Sequence, residues 1–400
     1  MDLRYTEEEL AFRAEVRAFF RDALPADIRR KTELGQRISK EEMTRWVRIL
    51  HDKGWATPAW SKEWGGTGWD AIRQYIFKEE MHLSPAPEPI SFNVNMLGPV
   101  LIAFGSEEQK KHFLPRIARH DYWICQGFSE PGAGSDLASL RTTAVRHGDH
   151  YLINGQKLWT SQAHHADWCF CLVRTDPAAK KQQGISYLLL DMKSPGITIR
   201  PIVTIDGNHE TNEMFLDNVR VPVAHRVGEE NKGWDYAKFL LGHERSGIAR
   251  VGVSKYRIGR AKQLAARVNV NGRPLAEDAR FRERVAAIEV ELKALELTQL
   301  RVVAESMKAH TDKPDPKTSI LKLKGSELQQ VSAELLLEVA AYDALEFDRE
   351  FLRGMANKSA SDHDWALTIA PNAYFARHVS IVGGSNEIQH NIVAKAILGL

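Results

Sequence analysis

Apolar residues recur at helical spacing through the first third of the chain. Near the start they are Leu10, Phe12, Val16, Phe19 and Phe20. The same spacing returns in residues 40–50 and 71–81, with a glycine- and proline-rich loop at residues 58–68 between them. Spacings of three and four residues place side chains on one face of a helix, so this pattern predicts a mainly helical domain over residues 1–121.

Strand-like runs replace the helical spacing after residue 121. Apolar runs separated by turn residues predict strands at 168–174, 185–192, 197–202 and 213–221. Residues 150–161 are predicted to form a hairpin with Asn154-Gly155 as its two-residue turn. We therefore expect a compact β domain over residues 122–233.

Long amphipathic patterns resume in the last third of the chain. They run through residue 309, from 316 to 353 and from 362 to the end, and glycine and proline fall mainly at the breaks. The pattern predicts a helical domain over residues 234–400.

The composition excludes several classes of protein. With 400 residues, 43% of them hydrophobic, the chain can bury a sizeable core in two or three domains. Its 54 Lys and Arg against 52 Asp and Glu give a net charge of +2, which favours neither nucleic acid nor a membrane surface as a partner. No stretch reaches the roughly 18 apolar residues of a membrane helix. The first 20 residues mix acids and bases, so we expect a cytoplasmic protein.

The cysteines and histidines do not show the spacing of metal ligands. Cys125, Cys169 and Cys171 are odd in number and lack CxxC spacing, which argues against a disulfide framework and a zinc site. Cys169 and Cys171 alternate along an apolar run and are expected to be buried strand thiols. His164 and His165 would face opposite sides of an extended strand, so we expect no metal site.

Two glycine-rich segments resemble nucleotide-binding loops only in part. Gly66-x-Gly68-x-x-Ala71 nearly fits the dinucleotide fingerprint, but no apolar strand precedes it. The segment that begins at Gly132 has leucine where the third glycine should fall, and no P-loop lysine follows either segment. A nicotinamide enzyme of the Rossmann type is therefore disfavoured.

Three segments stand in a specific order: residues 127–136 (GFSEPGAGSD), 154–161 (NGQKLWTS) and 384–389 (GSNEIQ). Together they resemble the signature segments of the acyl-CoA dehydrogenase family, and the similarity runs essentially end to end. Within the family the chain looks most like the large subunit of pimeloyl-CoA dehydrogenases. The resemblance implies an α+β fold with an N-terminal helical domain, a middle β-barrel or sandwich domain and a C-terminal four-helix bundle.

The resemblance implies FAD as cofactor and an acyl-CoA thioester as substrate. In this family a carboxylate removes the α proton and a hydride passes from the β carbon to flavin N5, leaving a trans-2-enoyl-CoA. By resemblance, Trp159 packs against the flavin, and Ser129 and Ser161 hydrogen-bond its polar edge. Gln126 and Phe128 would line the same wall through backbone groups. The alternative for Trp159 is a core aromatic residue on a hairpin.

Three more positions match family contacts. Ser385 and Glu387 fall where the family places flavin-contacting residues, although Glu387 could instead simply begin a helix. Ser135 matches a serine that contacts the pantetheine arm of CoA, and its alternative is a hydroxyl that stabilises a turn. The resemblance also implies an electron-transferring flavoprotein as electron acceptor.

The catalytic base departs from the commonest family pattern. Most members carry a glutamate where this chain has Gly383, and glycine offers no group that accepts a proton. One branch, which includes isovaleryl-CoA dehydrogenases, carries the base in a Glu-Arg pair on an earlier helix, matched here by Glu244-Arg245. The resemblance thus implies Glu244 as base and Arg245 near the substrate, with the Gly383 amide polarising the thioester carbonyl. The alternative for Glu244 is an ordinary helix carboxylate paired with a cation.

Two segments that hold the neighbouring subunit's FAD in homotetrameric members are degraded here. The patterns Arg-x-x-Phe-Gly and Gln-x-x-Gly-Gly are replaced by residues 272–276 (GRPLA) and 341–345 (AYDAL). We hypothesise an α2β2 complex in which a homologous subunit supplies these contacts. A competing hypothesis makes this chain a non-catalytic subunit that stabilises an active partner. An acyl-CoA oxidase is less favoured, because such chains usually carry an additional C-terminal domain. The sequence leaves the acyl group open among straight-chain, branched, dicarboxylyl and sterol side-chain thioesters.

Overall fold

Helices occupy the first and last thirds of the chain and strands its middle third, as the hydrophobic pattern predicts. The structure, a computed structural model, describes residues 4–244, 249–309, 315–355 and 363–400, with the side chains of residues 242–244 and 306–309 excepted. The helices are α1 (Glu7–Ala23), α2 (Ala26–Glu33), α3 (Lys40–Asp52), α4 (Ala71–Leu83), α5 (Gly98–Phe104), α6 (Glu107–Ala118), α7 (Gly233–Glu244), α8 (Val251–Ala265), α9 (Ala279–Ala309), α10 (Thr318–Ala340), α11 (Arg349–Leu352), α12 (Ile369–Phe375) and α13 (Asn386–Val393). The strands are β1 (Ile124–Gly127), β2 (Thr143–His147), β3 (His150–Lys157), β4 (Trp168–Arg174), β5 (Ile185–Asp191), β6 (Ile197–Val203), β7 (His209–Pro222), β8 (Asn269–Val270) and β9 (Arg273–Pro274).

The chain forms two compact units. The first unit contains the described parts of residues 1–42, 69–88 and 245–400, and the second contains residues 43–68 and 89–244. The division into three domains at residues 121 and 233 stays a prediction. None of the described helices is long and apolar enough to cross a membrane.

The first unit begins with a helix that its own sequence caps. The Thr6 hydroxyl accepts a hydrogen bond from the Glu9 amide, and the Glu9 carboxylate accepts one from the Thr6 amide. This capping box satisfies two amides that a helix start leaves free. Further along α1, Arg13 and Arg17 donate to the nearly buried Glu80 carboxylate of α4 at 2.7–2.9 Å. The N-terminal helix is thereby fixed to the rest of its unit.

The core of the first unit lies between the long helices α8, α9 and α10. Their buried apolar side chains recur at helical spacing, as in Leu321, Leu328 and Leu335 of α10. The amphipathic pattern from residue 362 to the end corresponds, in its described part, to α12, a 3-10 segment, α13 and a π-helical segment at Ala394–Leu398. Gly383 and Gly384, with φ of 69° and 84°, interrupt the helix immediately before α13.

The second unit is built on a seven-stranded sheet in the order β1-β4-β2-β3-β7-β6, with β5 paired to β4. Strands β4 and β5 are buried along most of their length, because apolar clusters cover both faces. Cys169 and Cys171 lie within β4 and are fully buried, so their prediction as strand thiols is confirmed. The sheet therefore lies within the hydrophobic core of this unit.

The hairpin predicted at Asn154-Gly155 was wrong. Residues 150–157 form one strand, β3, which has a register irregularity between Ile153 and Gly155 in its pairing with β7. Gly155 permits a close approach, since a Cβ atom there would lie 2.5–2.8 Å from atoms of Thr142. Asn154 exchanges hydrogen bonds with Asn218 on β7 at 2.8 and 3.1 Å. Asn154 thus lies in a continuous strand, opposite a bulge that places Asp217 and Asn218 of β7 against one residue of β3.

A buried ion pair joins three segments of the second unit. The Lys157 side chain is fully buried, and its Nζ donates to Glu130 Oε1 at 2.8 Å, to Leu172 O at 2.7 Å and to Phe128 O at 3.2 Å. Glu130 also accepts the amides of residues 141 and 142 at 2.7 and 2.9 Å. Burial raises the pKa of the Glu130 carboxyl, but Lys157 and these hydrogen bonds outweigh it and leave the pKa below its usual value.

We expect Glu130→Gln to lower the free energy of unfolding by about 3–5 kcal/mol, because it leaves the Lys157 ammonium buried without its counter-charge. The double variant Glu130→Gln/Lys157→Met should lose less than the sum of the two single losses. A lowered carboxyl pKa stabilises the fold above the ordinary glutamate pKa and loses that effect as the pH falls, so the deficit should shrink below about pH 4. Urea unfolding followed by circular dichroism measures both effects.

Asp136→Asn is the matched control, since its partner Lys181 at 2.8 Å is 60% exposed. This exposed pair should contribute less than about 1 kcal/mol. Equal losses for Glu130→Gln and Asp136→Asn would contradict the importance of the buried pair.

Candidate active site

The end of β1 carries the first group of predicted flavin contacts. Gln126 and Ser129 are partly exposed, whereas the Phe128 ring is buried and lies edge-on to Phe170 with ring centroids 5.5 Å apart. The Phe128 ring is therefore not available to a ligand, and its contact with the flavin through backbone groups stays a prediction. A Cβ atom at Gly127 would lie 2.9 Å from the Cys169 thiol, so glycine lets β1 lie close to β4.

Trp159 is presented outward from the segment that follows β3. Its side chain is 58% exposed, although tryptophan is usually mostly buried, and its backbone is left-handed with φ of 60°. Hydrogen bonds fix both flanks: the Leu158 amide donates to Ser129 O at 2.9 Å, and the Thr160 amide donates to Asn212 O at 2.9 Å. Asn212 Nδ2 returns a bond to Thr160 O at 2.9 Å. The conformation of Trp159 is thus imposed by its surroundings.

The five residues predicted to contact the flavin ring lie on two adjoining segments of the second unit. The bond between the Leu158 amide and Ser129 O joins the segment of Gln126, Phe128 and Ser129 to the segment of Trp159 and Ser161. The surface offers an exposed indole beside partly exposed hydroxyl and amide side chains. A flat aromatic ring with a polar edge fits such a surface, so these residues fit an isoalloxazine.

Ser135 lies on the loop that leaves this surface. Backbone hydrogen bonds in both directions between Glu130 and Ala133, at 3.0 and 3.1 Å, close the turn before it. Ser135 is exposed, and among the described residues its hydroxyl makes no hydrogen bond. The alternative in which this hydroxyl stabilises the turn therefore has no support within the described part of the chain.

The first unit carries the C-terminal group of predicted contacts. Ser385 caps α13, since its hydroxyl accepts the Ile388 amide at 3.5 Å. Glu387 is exposed in the first helical turn, and the Ser385 hydroxyl is the main cause that lowers the pKa of its carboxyl. This arrangement agrees with the simpler interpretation, in which Glu387 begins the helix. Gly383 stands three residues before α13 in the left-handed conformation.

Glu244 and Arg245 lie at the end of α7, where the described part of the chain stops. Glu244 is the last residue of α7, and its side chain lies outside the described residues. Arg245 also lies outside them. The assignments of the base and of the neighbouring arginine therefore stay predictions.

The expectation that His164 and His165 face opposite sides of a strand was wrong. They lie in a turn, with ring centroids 4.1 Å apart, and His209 stacks on His164 at 4.0 Å. Burial, followed by the neighbouring imidazoles, lowers the pKa of His164 to about 4, so its ring is neutral at pH 7. Within the described ranges, no three His, Cys, Asp or Glu residues are grouped to hold a metal ion.

Lys157 and Glu130 support the site but were not singled out from the sequence. A signal existed, because Lys157 has the same strand parity as the buried Tyr151 and Ile153 of β3. A lysine in phase with buried residues requires a buried partner. Glu130 is the acid inside the glycine-rich segment that carries the family resemblance.

Comparisons with known proteins identify the family. The acyl-CoA dehydrogenase N-terminal domain matches residues 6–121, the middle domain matches residues 125–219 and the C-terminal domain matches residues 231–398. The chain is similar to acyl-CoA dehydrogenase IpdE1 of Mycobacterium tuberculosis, with 36% identity over 395 residues that cover 97% of each chain.

Solved structures that share the fold include two at 32% identity. One is in the ChsE4–ChsE5 complex from Mycobacterium tuberculosis, with a TM-score of 0.84, 32% identity and coverage of 100% of this chain and 99% of the other. The other is in the Tcur3481–Tcur3483 steroid ACAD, with the same TM-score, identity and coverage. The predicted α+β fold with helical, sheet and helical domains is thereby confirmed. The chain belongs to the acyl-CoA dehydrogenase family, and it is an oxidoreductase that acts on acyl-CoA.

Proposed function

We propose that this chain catalyses the FAD-dependent α,β-dehydrogenation of an acyl-CoA thioester to a trans-2-enoyl-CoA, with Glu244 as the base. The observation that carries the proposal is the outward Trp159, held in a left-handed conformation beside Ser129. Exposing a large aromatic side chain and straining its backbone both cost free energy, which a bound ring would offset. Family members are generally FAD-dependent.

Each part of the proposed site has a separate task. Trp159, Ser161 and Ser129 hold the flavin ring, with Gln126 and Phe128 beside it. When bound, FAD accepts the β hydrogen of the substrate as hydride at N5. Glu244 takes the α proton, and the Gly383 amide donates a hydrogen bond to the thioester carbonyl as negative charge develops there. Ser385 and Glu387 approach the cofactor, and Ser135 and Arg245 approach the CoA thioester.

Glu244→Gln should slow anaerobic bleaching of the flavin by acyl-CoA by at least about 10²-fold, because glutamine cannot accept the α proton. Binding of acyl-CoA should change much less, since the amide keeps the size of the carboxyl group. Stopped-flow absorbance in the flavin band measures the rate of reduction.

Glu289→Gln is the matched control, because Glu289 lies on α9 and makes a half-exposed pair with Lys262 at 3.0 Å. It should reduce its flavin at the unsubstituted rate. An unchanged rate in Glu244→Gln as well would assign the base elsewhere and favour the competing proposal, a non-catalytic subunit that stabilises an active partner.

We also propose that a homologous subunit completes the cofactor site in an α2β2 complex. Residues 341–345, which replace the family's Gln-x-x-Gly-Gly, carry Tyr342 at 86% and Leu345 at 76% exposure, and Phe347 follows at 53%. Large apolar side chains exposed in so short a stretch favour a protein interface. Support also comes from the two similar structures: one is a complex of ChsE4 and ChsE5, and the other carries two component names, Tcur3481 and Tcur3483.

Expressed alone, the chain should retain much less than one FAD per polypeptide, and co-expression with the homologous subunit should restore bound FAD. The physical reason is that the ADP half of FAD would lack its contacts in the isolated chain. Absorbance of the denatured protein gives the flavin content, and light scattering gives the mass of the assembly. Stoichiometric FAD in a homo-oligomer of this chain would contradict the α2β2 proposal.

The steroid ACAD among the similar structures favours one substrate class that the sequence left open. We propose acyl-CoA thioesters with a steroid-derived acyl group. Flavin bleaching should be at least about tenfold more efficient in kcat/KM with a steroid side-chain CoA thioester than with butyryl- or octanoyl-CoA. Equal or better turnover of the straight-chain thioesters would refute this substrate class while leaving the dehydrogenase proposal intact. An electron-transferring flavoprotein is the proposed acceptor of the electrons.

A further inference from the structure

The turn before α13 presents backbone donors without partners. Gly383 and Gly384 are both left-handed, and within the described part of the chain their amides donate no hydrogen bond. Successive amides in turn conformations form a concavity that attracts negatively charged oxygen. The Gly383 amide is also the donor that the proposed function assigns to the thioester carbonyl.

Two glycines in succession give this turn little rigidity of its own. Glycine loses more conformational freedom on folding than any other residue. The preceding Ile381 and Val382 are 67% and 52% exposed, so packing does not hold them firmly. Donors that stabilise a developing charge act best when they are already in place. The turn therefore needs support from neighbouring elements.

Lys322 of α10 supports the turn from both ends. Its side chain is nearly fully buried, and Nζ donates to Ser380 O at 3.1 Å and to Asn386 Oδ1 at 2.7 Å. Ser380 precedes the two glycines and Asn386 follows them, so one ammonium group fixes the whole connection. The Ser326 hydroxyl, one turn further along α10, lies 3.1 Å from the same Asn386 oxygen.

Gln389 supports the turn from the side of α13. Its side chain is fully buried, and Nε2 lies 3.3 Å from both Gly383 O and Gly384 O. A Cβ atom at residue 384 would lie 2.7 Å from this nitrogen, which explains the glycine there. The carbonyl groups of the turn thus face α13, and its amides stay unpaired.

Burial disfavours the charged form of Lys322 in the folded chain. Unlike Lys157, it has no carboxylate within salt-bridge distance among the described residues. Burial lowers its pKa to about 8, against a smaller upward effect of Glu387. From pH 8 up to the ordinary lysine pKa of about 10.4, the unfolded chain binds more protons, so stability rises with pH.

We propose that Lys322 is a positioning residue for the dehydrogenation. By holding Ser380 and Asn386, it fixes the Gly383–Gly384 turn so that the free amides meet the thioester carbonyl of acyl-CoA. This role rests on the proposed function. It differs from a purely structural role, in which removing Lys322 would lower stability without affecting the turn selectively.

Hydrogen exchange of the full chain, with any partner subunit present, tests the support directly. Lys322→Met keeps a side chain of similar length and removes the donors. The amides of Ile381 and Val382, which donate to His378 O at 2.9 and 3.0 Å, should exchange at least about tenfold faster in this variant, while the urea midpoint does not fall. Lys324→Met is the matched control, because Lys324 is half exposed and pairs with Glu327 and Glu291. It should change neither quantity, and unchanged exchange in Lys322→Met overturns the proposal.

Flavin reduction by acyl-CoA tests the functional half. In Lys322→Met the rate constant should fall at least about tenfold, with acyl-CoA affinity within about twofold of the unsubstituted enzyme. Faster exchange with a normal rate of reduction contradicts the positioning role. If no acyl-CoA thioester reduces the flavin of the unsubstituted enzyme, the proposed function fails. The exchange result still decides whether Lys322 supports the turn.

A second variant covers the case in which Lys322→Met does not fold. Ser326→Ala removes only the hydroxyl beside the Asn386 oxygen. It should give the same changes in exchange and in reduction rate at smaller amplitude. Exchange and reduction rates equal to those of the unsubstituted enzyme would then count against the proposal.

Discussion

An ammonium group buried away from water must find acceptors inside the protein, and Lys157 shows how much structure can depend on that need. Its three acceptors belong to the end of β1, to the loop after it and to β4. Because a charge buried without partners is far more costly than a lost surface contact, alternative arrangements of the segments are excluded. The Lys157–Glu130 pair thereby helps to hold the segments that carry Ser129 and Trp159.

The turn before α13 is held by hydrogen bonds from Lys322 and Gln389, without an ion pair among the described residues. The family resemblance implies that most members carry the base at the position of Gly383, where its side chain and its amide would both serve the reaction. Here the glycine keeps only the amide, and the base is proposed on α7. The position is then free to adopt a left-handed backbone, which a glutamate would tolerate poorly. Lys322 and Gln389 compensate for the flexibility that two glycines introduce. In the proposed function, the donor and the base therefore belong to different elements.

Patterns along the chain predicted the order of helices and strands, because amphipathic spacing over many residues reports which face is buried. The family segments also contain residues that the fold places on adjoining segments, such as Ser129 and Trp159. Local signals failed where tertiary contacts decide the outcome. Asn154-Gly155 has the chemistry of a tight turn, yet pairing with β7 keeps it within a continuous strand. Lys322 looked like any lysine of an amphipathic helix, since its partners come from a segment almost 60 residues away.

The hydrogen bonds of Asn154 also affect the chemical stability of the protein. Asn-Gly sequences are chemically labile, because the small glycine lets the following amide nitrogen attack the asparagine side-chain carbonyl. That attack requires the asparagine side chain to rotate toward its own backbone. Here both ends of the Asn154 amide group are engaged by Asn218 on the neighbouring strand. Folding therefore protects against deamidation at this position, and the susceptible form is the chain before it folds.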